Sequence, residues 1–154
     1  MTLESADLQG ADLKGAKLQG VNLEGANLKG ACLYGANLQR AKLQGANLKG
    51  ANLKGADLIY AELQDANIQG ADLEGAYLQG ANFENAKLEG VNLTFAELDG
   101  ANLKDANLQG TYLGSANLQG AKYNERTDFK GSNITQEQLD SMVYVEDEDG
   151  ESQD

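Results

Sequence analysis

Large apolar residues recur at every fifth position from Leu3 to Tyr123. Of these 25 positions, called centres here, 22 are Leu. The residue two before a centre is Ala in 21 of the 25 cases, and the residue directly before it is Asn or Asp in 15. The corner residue, two after the centre, is Gly at 16 of the 24 positions from 5 to 120. The chain is therefore built from units of five residues with one shared pattern.

The five-residue period excludes a helix, although Ala, Leu, Lys and Gln are good helix formers. Five residues turn about 500° around an α-helix, so successive centres would point about 140° apart and no apolar face would form. An extended chain accommodates the pattern, because a centre and the Ala two residues earlier lie on one face. Gly at the corner suits the positive φ of a type II turn. We expect a short strand and a corner in each unit, stacked into coils around an Ala and Leu core.

The residues that replace Gly at the corners bear on how many units form one coil. Asp65, Asn85 and Asp105 follow one another at intervals of four units, as do Arg40 and Tyr60. This spacing favours four units per coil and leaves other numbers open. With four units, one inward column of stacked centres consists of Leu8, Leu28, Leu48, Ile68, Leu88 and Leu108.

The run Ala-(Asn/Asp)-Leu-x-Gly, as in GANLKGANLKGADL at residues 45–58, resembles the tandem repeats of the pentapeptide-repeat family. The resemblance covers residues 1–134 and is to chains of the type abundant in cyanobacteria. It implies an all-β solenoid, a right-handed quadrilateral β-helix with four units per coil. With stacked strands about 4.8 Å apart, about six coils give a rod on the order of 30 Å long.

The repeat pattern changes after the last centre. Residues 124–128 hold one extra residue, which predicts a bulge or a loosened corner. Further on, Thr135 and Gln138 have the spacing of a capping box, and Leu139, Met142 and Val143 share one helical face. We predict a short helix over residues 135–144 that caps the C-terminal end of the core.

The charge of the chain is concentrated in its last segment. The net charge is −12, from 24 acidic and 12 basic residues, and eight of the acidic residues fall in 131–154, which has no Lys or Arg. Residues 145–154 are expected to form an acidic, disordered tail. The remaining body carries −4, with no basic footprint for nucleic acid. No apolar run is long enough to cross a bilayer, so we expect no membrane segment.

The chemical repertoire of the chain argues against an enzyme. There is no His, which removes the commonest general base, and no nucleophile motif. We expect no catalytic residue and no cofactor. Cys32 is the only cysteine, is expected to be a passive surface thiol, and fits a reducing, cytoplasmic setting. The oxygen-rich corners Asp65, Asn85 and Asp105 suggest a cation column, but tolerance of the left-handed conformation explains these residues equally well, so we expect no metal.

Five outward residues form a candidate interaction patch: Lys14, Tyr34, Lys54, Arg40 and Tyr60. Tyr and Arg are enriched at binding hot spots. The competing interpretation is pairing of opposite charges between neighbouring coils, because Glu74 follows Lys54 in its column and Glu62 follows Lys42.

The first coil has no element in the sequence that would cover it. Leu3, Leu8, Leu13 and Leu18 would then be accessible at this end, and open edges favour association. We predict a weak homodimer through the N-terminal coil.

These observations favour a rigid structural or protein-interaction module whose partner protein the sequence does not identify. The resemblance implies the same class, because most such chains have no known biochemical activity. It also implies an alternative, since some pentapeptide-repeat proteins mimic duplex DNA and bind DNA gyrase. The charge of only −4 over the body, with Lys interspersed, departs from that pattern.

Overall fold

Residues 1–120 wind into six coils, and each coil has four sides of one unit each. The structure is a computed structural model, and it describes residues 1–146. The residue before each centre forms a parallel bridge with its equivalent four units later, from Thr2 with Asn22 to Asn102 with Lys122. This constant register fixes four corners per coil. The walls consist of these single bridges rather than of longer strands.

We number the sides in chain order, so that residues 1–5, 6–10, 11–15 and 16–20 begin the first, second, third and fourth sides. Each side recurs once in every coil. Within a unit, the centre and the corner donate to the next coil, as Leu28 N does to Asn47 O at 2.7 Å and Gly30 N to Lys49 O at 2.9 Å. The turn is closed by Ala31 N donating to Leu28 O at 3.0 Å.

The Asn or Asp before each centre completes the hydrogen bonding of its unit. Its side-chain oxygen accepts the backbone N–H two residues later, as Asn27 Oδ1 does from Lys29 at 3.1 Å and Asp72 Oδ1 from Glu74 at 3.0 Å. All 15 in-register Asn and Asp residues make this bond. An acceptor this close to the backbone explains why short polar side chains prevail at this position.

The core is a continuous stack of Ala and Leu. The predicted column of centres lies inside it, and five of its six members are at most 1 % exposed: Leu28, Leu48, Ile68, Leu88 and Leu108. Leu8 is only partly buried, because it lies in the first coil and packs against one neighbouring coil. Burial of this kind stabilises the fold by about 2 kcal/mol for each Leu.

The corners have the conformation that the Gly pattern predicts. Backbone φ is positive at every fifth residue from 5 to 120, including eight corners that are not Gly. Asn, Asp and Ser account for five of these, whereas Arg40, Tyr60 and Phe95 are large residues in the left-handed region. Large side chains adopt this region rarely, so these three corners are locally strained.

Beyond the sixth coil, the described chain forms three elements: β1 (Lys122–Tyr123), α1 (Gln136–Ser141) and β2 (Val143–Tyr144). The bridge of Asn107 with Asp128 spans one residue more than the regular bridges, so the segment after β1 does contain one extra residue. The helix α1 begins at the N-cap Thr135, whose capping box with Gln138 is present.

The helix is shorter than the predicted range of 135–144. It ends at Ser141, and Met142 is already extended. The following residues form β2, which pairs in parallel with β1, and Val143 N donates to Ala121 O at 2.8 Å. Val143 is 48 % exposed, so its predicted place on the buried helical face is wrong, whereas Met142 is buried. Pairing with the open edge of β1 competes with helix propagation and wins at these β-branched and aromatic residues.

The predicted acidic tail over 145–154 lies almost entirely outside the described residues.

Candidate interaction surface

The corner between the fourth and first sides carries an ordered stack of large side chains. The guanidinium carbon of Arg40 lies 4.8 Å from the ring centroid of Tyr60. The same ring covers Gly80 in the next coil, where a Cβ would lie 2.5 Å from Cε1 of Tyr60. The missing side chain at Gly80 therefore provides the space for the ring, and the cation–π contact holds its other face.

The third side carries the other members of the predicted patch. Lys14 Nζ lies 5.6 Å from the ring centroid of Tyr34, and Lys54 is exposed one coil further along. These three residues are separated from Arg40 and Tyr60 by the width of the fourth side. The five predicted residues therefore form two groups instead of one patch. Neither Lys54 with Glu74 nor Lys42 with Glu62 forms an ion pair, since the ion pair within residues 1–146 joins Arg126 and Asp105.

Exposed aromatic residues occupy only half of the perimeter in residues 1–120. Tyr34 and Tyr112 lie on the third side, Phe95 at the corner between the third and fourth sides, and Tyr77 on the fourth side. Tyr60 borders the fourth side. Tyr77, Phe95 and Tyr112 were not among the surface residues predicted from the sequence. Projection of the sequence onto a period of four units reveals them.

The fourth side differs from the rest in its order of side chains along the rod. Lys17 and Arg40 lie in its first two coils, and Glu97 and Asp99 lie in its fifth. Between these ends lie Ile59, Tyr60 and Tyr77, in the third and fourth coils, together with the carboxylate of Asp57, which accepts from Gln39 Nε2 at 2.6 Å. This surface, which we call the graded side, is basic at one end, largely apolar in the middle and acidic at the other end.

Asp65 and Asp105 in the acidic corner column have hydrogen-bond partners within the protein. Asn85 donates to Asp65 Oδ1 at 2.5 Å, and Arg126 Nε lies 2.8 Å from Asp105 Oδ1. The hydrogen bond from Arg126, followed by that from Asn124, lowers the pKa of Asp105 below its ordinary value. Within residues 1–146, no group of three or more His, Cys, Asp or Glu side chains is placed to hold a metal ion.

A cleft lies between α1 and the last coil. Its polar lining includes Ser115, Thr135, Glu137 and Ser141, and Gln138 spans it by donating to Leu113 O at 2.7 Å. A hydroxyl nucleophile needs a neighbouring base, and among the described residues Glu137 has no hydrogen bond to any hydroxyl of this lining. Cys32 carries a free thiol and is partly buried, and its backbone forms parallel bridges with Asp12 and Asn52.

The leucines of the first coil are more accessible than those of the middle coils. Leu3, Leu8 and Leu13 are partly buried, and Leu18 is 7 % exposed. End-to-end association through these residues stays a prediction. In the part of the chain that the structure describes, no helix has the length and apolar character to cross a membrane.

The repeat geometry is matched by a known family. A model described as pentapeptide repeats in eight copies matches residues 6–45, 36–75, 66–105 and 96–122. The matched ranges cover well over half of the chain, which therefore belongs to the pentapeptide-repeat family. No curated protein matches this chain in sequence.

Solved structures show the same fold. A pentapeptide-repeat protein, Rfr23, from the cyanobacterium Cyanothece 51142 is 30 % identical, with 85 % of this chain and 89 % of that chain covered and a TM-score of 0.53. A trypsin-treated form of QnrB1, a plasmid-mediated fluoroquinolone resistance protein, is 20 % identical over 98 % of this chain and 79 % of that chain, with a TM-score of 0.57. These neighbours imply a right-handed quadrilateral β-helix, in agreement with the register of four units per coil.

Proposed function

We propose that the protein is a rigid, non-enzymatic scaffold that acts by binding another protein molecule through the outer surface of its β-helix. The observation that carries the proposal is that, within residues 1–120, the exposed aromatic residues are confined to the third and fourth sides and their corners. Solvated surfaces have no need for such clustering, whereas binding surfaces concentrate aromatic residues at their centre. Repeat proteins in general bind through extended surfaces of this kind.

The strained corners support the same proposal. Tyr60 and Phe95 have φ values of 59° and 61°, where Gly occupies most equivalent positions. A left-handed conformation costs such residues about 1–2 kcal/mol. Strain of this kind is commonly retained where a side chain has a function, and both residues border the fourth side.

The proposal is tested by site-specific photo-cross-linking in the native cell. A photoreactive amino acid in place of Tyr77, on the fourth side, is expected to give a discrete cross-linked product. The matched control places it at Asn67, on the second side, where we expect little product. Absence of products from all positions around the rod would exclude a protein-binding scaffold.

We place the protein in the cytoplasm, on the basis of its single free cysteine.

The charge distribution argues against gyrase inhibition by DNA mimicry. Residues 1–60 hold seven basic and five acidic side chains, and residues 61–110 hold two basic and nine acidic ones. A mimic of duplex DNA presents negative charge along its whole length, whereas half of this rod carries a small positive charge. We expect no inhibition of supercoiling by purified gyrase at micromolar protein; inhibition there would restore the alternative.

A further inference from the structure

We infer that the graded side is the contact surface of a two-fold dimer, in which a second copy of this chain lies against it in the antiparallel direction. The inference rests on the proposed function, because it assigns a face and a partner to a protein-binding surface. It involves the outward side chains of the fourth side and not the leucines at the N-terminal end of the rod, Leu3, Leu8 and Leu13.

The order of side chains along the graded side is self-complementary. A two-fold axis in the plane of contact, between the third and fourth coils, brings the second coil of one copy onto the fifth coil of the other. The amides of Asn37 and Gln39 and the guanidinium of Arg40 lie in the second coil. They would face Glu97 and Asp99 of the second copy. Donors and cations at one end thus meet acceptors and anions at the other.

The apolar middle of the graded side falls on the axis. Tyr60 and Ile59 lie in the third coil and Tyr77 in the fourth. The axis would bring Tyr60 opposite Gly80, Ile59 opposite Gln79 and Tyr77 opposite Asp57 of the second copy. The ring of Tyr60 is already fixed between Arg40 and Gly80. Binding therefore orders few additional side chains, which reduces its entropic cost.

The polar groups at both ends have remaining capacity for a partner. Arg40, Glu97 and Asp99 form no ion pair within residues 1–146. Glu97 accepts from Asn117 Nδ2 at 3.1 Å through one oxygen, and its other oxygen is available to a donor of a second copy.

The first and second sides lack this arrangement. The outward residues of the second side are all polar or charged, with acidic residues in the first and fifth coils and basic residues in the second, third and fifth: Asp7, Gln9, Asn27, Lys29, Asn47, Lys49, Asn67, Gln69, Lys87, Glu89, Asn107 and Gln109. Because it lacks an apolar middle, this side has no equivalent hot spot. The first side likewise carries no exposed aromatic residue in residues 1–120.

The area of the graded side and the net charge of the molecule set the expected affinity of the dimer. The accessible surface is 7517 Å², and a standard interface needs about 800 Å² per partner, or about a tenth of a small protein's surface. One of four sides provides this area. The net charge of −12 on each copy opposes association, so we expect a dimer with a Kd on the order of 10 μM at physiological salt.

The first experiment is sedimentation velocity of the full chain across a dilution series. The mass should rise with concentration from the 16.3 kDa of one chain to twice that value. Two charge-reversal variants then test the face. Glu97→Lys with Asp99→Lys makes both ends basic, and Lys17→Glu with Arg40→Glu makes both ends acidic. Each variant alone should be monomeric, and an equimolar mixture should form a heterodimer.

The matched control is Glu62→Lys with Glu84→Lys on the first side. It changes the net charge as the Glu97 and Asp99 reversals do, since two reversals raise −12 to −8. Net charge alone predicts tighter association in both variants, whereas the graded side predicts loss only when Glu97 and Asp99 are reversed. Thermal unfolding followed by circular dichroism verifies that every variant is folded.

Three outcomes would overturn the inference. A wild-type chain that stays monomeric at several hundred micromolar (well above the expected Kd) excludes the dimer. A dimer that survives both graded-side variants and is lost in Leu3→Lys with Leu8→Lys assigns association to the N-terminal end. A monomer that cross-links a different protein at Tyr77 assigns the face to that protein, and the proposed function then stands without the dimer.

Discussion

The regular coils and the C-terminal segment after residue 120 satisfy their backbones in different ways. In the coils, each unit bonds to the equivalent units of the coils before and after it, as Asn67 N does to Ala46 O at 2.9 Å. Toward the C-terminal end, side chains replace missing backbone partners. Asn133 Oδ1 accepts from Leu113 N at 2.6 Å, and Gln138 donates to the carbonyls of Leu113 and Ala116. One hydrogen-bonding pattern satisfies the backbone of all the coils, whereas at the C-terminal end specific side chains bond to individual backbone groups.

The largest expected effect lies in the regular coils. Leu58 is 1 % exposed, and Leu58→Ala should lower the free energy of unfolding by about 2–5 kcal/mol, because it removes buried apolar contacts and leaves a cavity. The measurement is unfolding in guanidinium chloride. Lys54→Ala, on the exposed surface of the same coil, is the control and should stay within about 0.5 kcal/mol of the wild type. Equal effects of the two would contradict the inward placement of the centres.

The second prediction compares one Asn from each region. Asn124 is 4 % exposed, and its Oδ1 accepts from the backbone N–H groups of Asp105, Arg126 and Thr127. Asn124→Ala should cost about 1–3 kcal/mol, because buried donors lose their acceptor. Asn67→Ala removes one bond, to Gln69 N, and should cost about 0.5–1.5 kcal/mol. Urea unfolding of both variants distinguishes the regions; a larger loss at Asn67 would reverse the comparison.

A smaller effect is expected from the ion pair that links the two regions. The hydrogen bond from Arg126 lowers the pKa of Asp105, so its carboxylate stabilises the fold above its unfolded pKa of about 3.9 and loses this contribution as pH falls through the folded pKa. Asp105→Asn should therefore cost up to about 1 kcal/mol at pH 7 for such an exposed pair, and the difference should shrink toward zero in acid.

The measurement for Asp105→Asn is urea unfolding at neutral and acidic pH. Asp72→Asn is the matched control, because Asp72 lies in the regular coils and forms no ion pair within residues 1–146. A difference between wild type and Asp105→Asn that grows as the pH falls would contradict the sign of the effect.

The smallest effect is expected at the end of the chain. Residues 146–154 hold six acidic residues and no large apolar one, so their deletion should change the melting temperature by no more than about 2 °C. Differential scanning calorimetry checks this. A decrease of many degrees would show that this segment packs against the rod and contributes to the stability of the C-terminal end.

The sequence predicted the core because the period of five acts through burial alone. Most units from Leu23 to Leu118 repeat the same inward pair of Ala and Leu, so no long-range information is needed. The C-terminal segment was predicted less well. Val143 fits a helical face locally, and only the nearby edge of β1 directs it into a strand. Local patterns cannot report such a contact between distant parts of the chain.

The surface residues were predicted from the sequence less completely than the core. Grouping of Arg40 with Tyr60 follows from their separation of four units, and the structure places them in contact. Tyr77 and Ile59 are recognised as neighbours on one surface only when the units of the fourth side are placed next to one another along the rod. The role of Asn27 and its equivalents was also missed, because the bond to the N–H two residues later depends on the turn conformation.

The register of four units per coil restricts how a rod of this kind can change its length during evolution. Duplication of one unit would preserve the core, since most units present the same inward pair of Ala and Leu. It would also rotate all later outward residues by a quarter turn, so that Glu97 and Asp99 would move away from the line of Lys17 and Arg40. Duplication of four consecutive units would lengthen the rod by about 4.8 Å and keep every face aligned. The core therefore accepts the insertion of any number of units, whereas a functional surface on the outside accepts only the insertion of whole coils.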